Sequence, residues 1–93
     1  MGHPLLQKAA VTVYSTTWCP DCKDAHDVFV RLGVPYREID IEAVSGAADE
    51  MIALAGGVRR VPTIVIKRGE HTEVLVEPEP ELLASKLKPV KGC

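Results

Sequence analysis

No block of one charge appears anywhere in this 93-residue chain: 11 Lys and Arg stand against 13 Asp and Glu, interspersed, for a net charge of -2. That excludes a nucleic-acid or anionic-membrane partner held by counterion release. No apolar run approaches the roughly 18 to 20 residues needed to cross a bilayer. Met1 to Ala10 lacks a basic segment followed by an apolar one, so the reading is a cytoplasmic protein with no membrane partner. Cysteine is scarce and odd in number, at three, whereas a disulfide-stapled secreted miniprotein carries an even set of four to eight. Repeats, linkers and compositional breaks are missing too, so residues 1–93 are expected to form one domain with a core over about 10–87. Hydrophobic residues at 46% and charged residues at 26% place it among ordinary globular domains, and a monomer is expected.

What is present reads as alternating strands and helices. Val11-Thr12-Val13-Tyr14 is β-branched and aromatic, suits a buried strand, and runs into the polar turn Ser15-Thr16-Thr17. From Pro20 the period becomes 3.6, with Cys22, Ala25, Phe29 and Leu32 on one face and Lys23, Asp27 and Arg31 spaced i, i+4 on another. Gly33 and Pro35 stop this helix. Tyr36 to Ile41 alternates apolar and charged residues, as a strand near a sheet edge does. Ser45 is placed to cap a second helix bearing Ala48, Met51, Ile52 and Ala55, ended by Gly56-Gly57.

Thr63-Ile64-Val65-Ile66 is uninterrupted and β-branched, the pattern of a central strand covered on both faces. Arg68-Gly69-Glu70 connects it to a hairpin partner over Glu73 to Val76. A last helix starts near Glu79-Pro80 and docks through Leu82, Leu83 and Leu87. The order β-α-β-α-β-β-α implies a parallel pair followed by antiparallel strands. The fold class is therefore α/β: a small four-stranded mixed sheet flanked by three helices, on both faces.

Trp18-Cys19-Pro20-Asp21-Cys22 falls where the first strand gives way to the first helix. Cys19 stands at the helix entrance, where unpaired backbone N–H groups and the positive dipole end favour a thiolate. A free thiol with pKa about 8.5 is only a few per cent ionised at pH 7, so even a modest lowering raises its nucleophilicity. Cys22 lies one turn on, along the Ala25 and Phe29 stripe, and is expected to be more buried and less acidic. The roles separate: Cys19 attacks and Cys22 resolves. Pro20 fixes φ at the first helical position, while Asp21 suits the helix dipole but disfavours a neighbouring thiolate. Structural zinc would require further ligands, and only His26, His71 and Cys93 are candidates; Cys22-x-x-x-His26 leaves the set one short. No metal site is expected, His26 reads as a solvated helix residue, and Cys93 as an incidental thiol.

Tyr14-x-x-x-x-Cys19-Pro20-x-Cys22, the helix with Phe29 and Leu32, Val34-Pro35-Tyr36 and Val61-Pro62-Thr63 together resemble a glutaredoxin of the thioredoxin fold. The likeness covers about Val11 to Leu87. It implies a cis Val61-Pro62 bond beside the cysteines and a substrate thiol paired with the backbone of Val61. Gly56-Gly57-x-Arg59-x-Val61-Pro62-Thr63, with the Glu-Pro entrance to the last helix, is most similar to the mycoredoxins, which work with mycothiol. Common glutaredoxins differ in carrying Lys at the place of Thr16, Tyr at that of Asp21, and a Gly-Gly and acidic pair where this chain has Val76-Glu77-Pro78-Glu79-Pro80-Glu81.

The resemblance implies a thiol-disulfide oxidoreductase of glutaredoxin or mycoredoxin type, acting through Cys19 and Cys22. Trp18, Pro20, Asp21, Arg59, Arg60, Val61 and Pro62 form the candidate substrate-binding set. Arg59 and Arg60 offer charge-assisted hydrogen bonds to an anionic group of a small thiol, and Trp18 offers a docking surface. No bound cofactor is expected. Glutathione, mycothiol or bacillithiol is the implied co-substrate, disulfide-containing proteins are the partners, and a small thiol or a thioredoxin reductase restores the dithiol. The alternative reading is an iron-sulfur or metal carrier that uses Cys19 with an external thiol.

Overall fold

In the computed structural model, which describes residues 10–87, the chain forms β1 (Ala10–Ser15), α1 (Pro20–Leu32), β2 (Arg37–Asp40), α2 (Ala47–Leu54), β3 (Thr63–Arg68), β4 (His71–Val76) and α3 (Pro80–Leu87). The four strands make one sheet in the order β2-β1-β3-β4. β1 and β2 are joined through a helix and run parallel; β3 is antiparallel to both β1 and β4. The hairpin closes at the Arg68–His71 pair, leaving Gly69-Glu70 as a two-residue connection with Gly69 at φ 61°, a conformation that glycine adopts without steric penalty.

Strand alternation divides the core between the two faces of the sheet. Val11 and Val13 of β1 and Ile64 and Ile66 of β3 point to one side, where they pack with Ala25, Val28 and Phe29 of α1 and Leu83 and Leu87 of α3. Tyr14 and Val65 point to the other side and meet Ile41, Ala47 and Met51. Two helices thus cover one face and α2 the other. The central position of β3 follows from its composition, since a strand apolar on both faces must be covered on both.

Local details depart from the sequence reading at four points. Leu32 is exposed, and Val28 is buried on the sheet side of α1. Gly33 turns the chain in the left-handed region, at φ 69°, and the following turn brings Val34 and Tyr36 against the core. Tyr36 stacks on Phe29 with ring centroids 4.4 Å apart. Leu82 is 46% exposed while Leu83 and Leu87 are buried, because a helix of two turns presents one i, i+4 pair to the sheet. Ser45 does not cap α2; Gly46 does, at φ 81° and without a side-chain hydrogen bond. Ser15 and Thr16, expected in a polar turn, are buried. Ser15 closes β1, and its hydroxyl donates to Glu38 Oε2 at 2.7 Å across to β2.

The two neighbouring leucines of α3 separate packing from composition. Leu83→Ala is expected to lower stability by about 2 to 5 kcal/mol through the cavity it leaves. Leu82→Ala should stay within about 0.5 kcal/mol. Urea unfolding midpoints of the two variants check this.

Candidate active site

The site is built at the end of β1, where Thr16 to Trp18 lead into α1. Cys19 is the N-cap of that helix, with extended backbone at φ -89° and ψ 115°, and Pro20 follows in the first turn. Its Sγ accepts the backbone N–H of Cys22 at 3.2 Å. This is the bond that a serine or aspartate oxygen ordinarily makes at an N-cap. Here the cap is a sulfur, so the unpaired helical donors and the dipole converge on the Cys19 thiol.

The second wall comes from the loop before β3. Val61-Pro62 is cis, and the Cys19 thiol donates to the Val61 carbonyl at 3.7 Å. The loop is held by Thr63 Oγ1, which donates to the Arg60 carbonyl at 2.8 Å. Pro62 itself is fully buried behind the surface.

Burial does not distinguish the cysteines as expected: Cys19 is 8% and Cys22 6% exposed. Their surroundings do. Burial pushes the Cys22 thiol up to about 12, aided by its hydrogen bond with Cys19 and by the negative charges of Cys19 and Glu38; the Thr16 backbone bond pulls the other way. Thr16, which stands where common glutaredoxins carry Lys, thus contacts Cys22 through its backbone, and its buried Oγ1 lacks a hydrogen-bond partner among the described residues.

A groove of about 530 Å³ opens over Cys19. All of the candidate substrate-binding residues except Pro62 line it: Trp18, Pro20, Asp21, Arg59, Arg60 and Val61. Val58 and Glu77 line it as well, and neither was in the candidate set. Val58 had a faint signal, an apolar residue in a loop after two glycines. Glu77 was hidden by its type, since it adopts φ 48°, where the sequence ordinarily shows glycine.

Trp18 stands 63% exposed at the rim, its indole N–H donating to Glu42 Oε1 at 3.1 Å. The two arginines differ. Arg60 Nη1 meets Glu77 Oε1 at 2.8 Å, so it is not the unengaged cation that the sequence suggested, whereas Arg59 has no ion-pair partner among the described residues. His26 lies on the exposed side of α1 and bonds the Tyr36 hydroxyl, and His71 begins β4. Among the described residues no group of three or more His, Cys, Asp or Glu side chains converges to hold a metal ion; Cys93 lies outside them.

The thioredoxin fold together with the family match below defines a thiol-disulfide oxidoreductase. Solved structures share the architecture: a glutaredoxin from Archaeoglobus fulgidus superposes with a TM-score of 0.67 at 21% identity, over 91% of this chain and 92% of that one. The glutaredoxin-like NrdH-redoxin of Escherichia coli gives 0.66 at 21% identity, over 88% and 99%. The glutaredoxin family profile matches residues 11–72. A Mycobacterium tuberculosis protein bearing the glutaredoxin name is 32% identical over 84 residues, covering 90% of this chain and 96% of its own length, in line with the mycoredoxin-like pattern. The chain belongs to the glutaredoxin family.

The causes of the Cys22 shift make a prediction. In Cys19→Ser the contributions of the Cys19 sulfur vanish but burial, the largest cause, remains. With Cys93→Ser added so that Cys22 is the one cysteine left, its rate of alkylation followed against pH should then rise with a midpoint above the ordinary value of about 8.5. A midpoint at or below the ordinary value would contradict the burial argument.

Proposed function

We propose that the protein reduces protein disulfides and mixed disulfides of low-molecular-weight thiols through Cys19 and Cys22. One observation carries the reading: a sulfur that is the N-cap of α1 accepts the Cys22 N–H at 3.2 Å and opens onto a groove, with a second thiol directly beneath it. The Cys19 thiolate attacks one sulfur of a substrate disulfide in line, forming a mixed disulfide and releasing the other sulfur as a thiolate that takes up a proton. Cys22 then gives up its proton and attacks the Cys19 sulfur. The Cys19–Cys22 disulfide forms, the second substrate thiol leaves, and two electrons have passed from the dithiol to the substrate.

The shift on Cys22 gives this sequence its order. Burial and its neighbours push the Cys22 thiol up to about 12 and hold it protonated at neutral pH, so Cys19 is the sulfur placed to attack first. Two of the causes that raise the Cys22 thiol belong to the Cys19 sulfur, its hydrogen bond and its charge. A mixed disulfide at Cys19 removes that charge, and Cys22 becomes easier to ionise at the step that needs its thiolate.

Val61 offers its backbone, Trp18 and Val58 an apolar rim, and Arg59 a charge to the substrate; Pro20 and Asp21 line the groove beside Cys19, and Pro62 lies buried behind it. A small thiol, with glutathione, mycothiol and bacillithiol as the candidates, or a flavin-dependent thioredoxin reductase restores the dithiol. With a small thiol, direct attack on the Cys19 mixed disulfide regenerates the Cys19 thiolate without Cys22.

The two serine variants test this assignment. Cys19→Ser should lose all measurable turnover of both a protein disulfide and a small mixed disulfide. Cys22→Ser should keep the mixed-disulfide reaction when a small thiol is supplied, and lose at least 10-fold on the protein disulfide. Activity surviving in Cys19→Ser but lost in Cys22→Ser would reverse the roles.

A further inference from the structure

The groove beside Cys19 carries two guanidinium groups, Arg59 and Arg60, and two carboxylates, Asp21 and Glu77. It is formally neutral, although the arginine pair alone suggests an anion site. Three observations single out Glu77. Its carboxylate meets Arg60 at 2.8 Å. Its backbone N–H donates to the Pro62 carbonyl at 2.9 Å, which ties it to the residue after Val61, whose own carbonyl receives the Cys19 thiol. It does this at φ 48°, a conformation in which glycine would be relaxed and a larger side chain is unfavourable. A charged side chain at a position that disfavours any side chain, anchored on the loop facing the nucleophile, directs attention to what that side chain does.

A bound thiol with a carboxylate would seek a guanidinium in this groove. At Arg60 that place is already taken by Glu77, and at Arg59 the attraction is opposed by the charge of Asp21, which lines the same groove. We infer that Glu77 serves as a built-in carboxylate at the Arg60 end of the groove, making it a specificity-determining residue that favours low-molecular-weight disulfides without carboxylates over those that bear them. The inference rests on the reductase reading above and adds the substrate class. Glu77 acts by competition and repulsion at the binding step; the sulfur chemistry stays with Cys19 and Cys22.

The test uses the full chain, pre-reduced and freed of reductant, so that a single turnover needs no recycling partner. Trp18, the sole tryptophan, adjoins the nucleophile and reports the reaction by its fluorescence. Second-order rate constants are measured with two small disulfides matched in size, bis(2-hydroxyethyl) disulfide and 3,3′-dithiodipropionate. The wild-type protein should react faster with the neutral compound. In Glu77→Gln the ratio of the anionic to the neutral rate should rise by about 5-fold at low ionic strength and fall back toward the wild-type ratio at 0.5 M salt, as an exposed charge effect must.

The same gain should be absent from the double variant Glu77→Gln with Arg60→Gln. An unchanged ratio in Glu77→Gln, or a gain that survives either high salt or the loss of Arg60, overturns the inference while leaving the reductase intact. A wild-type protein that reacts with neither disulfide removes the reductase reading and this one with it.

Discussion

The register of β1 against β3 is the constraint on which the rest depends. Tyr14 pairs with Thr63, so the chain leaving β1 and the chain entering β3 are neighbours at one end of the sheet. That adjacency sets Cys19, five residues beyond Tyr14 in sequence, opposite Val61, two residues before Thr63, and lets the thiol reach the Val61 carbonyl. A slip of β1 by one residue would turn Val11 and Val13 out of the larger core cluster they share with Ile64 and Ile66. The hydrophobic pattern that stabilises the sheet is therefore the same pattern that assembles the site. The apolar layers on both faces hold in place a contact that is itself weak, a sulfur donor to a carbonyl.

On this scaffold the paired cysteines differ by environment and not by depth. Both are buried to a similar degree, yet one is the cap of a helix and faces a groove, while the other lies beneath it near Glu38 and is held strongly to its thiol form. The distinction lasts only as long as Cys19 carries its free sulfur, because that sulfur is part of what restrains Cys22. The groove is balanced in a similar way: its two guanidinium groups are matched by two carboxylates, with the exposed face of Trp18 at its rim.

Much of the architecture was readable residue by residue. The β-branched run Thr63 to Ile66 identified the central strand, the 3.6 period after Pro20 identified α1, and Gly33 its end, because each signal is local and repeated. The errors fell where a signal depended on a single position. Leu32 and Leu82 had the right type and the wrong azimuth, since the sheet covers only a narrow stripe of each helix. Ser45 had a capping side chain, but the chain turned through Gly46. Ser15 and Thr16 looked like a solvent turn and were instead covered by the elements that meet around the cysteines. The Arg60–Glu77 pair left no local signal, since its members lie 17 positions apart.

The sequence by itself determined the order of elements, the placing of Cys19 at a helix N-terminus with Cys22 one turn behind, and the nearness of Val61-Pro62 to a central strand. Those properties come from periodicity, turn chemistry and short-range spacing, all of which are written along the chain. Only the tertiary structure decided that Val61 faces the Cys19 sulfur, that the charge of Glu38 acts on Cys22, and that Glu77 closes on Arg60. Each of these joins residues far apart in sequence, and such contacts depend on strand register and helix azimuth, quantities that exist once the sheet has formed.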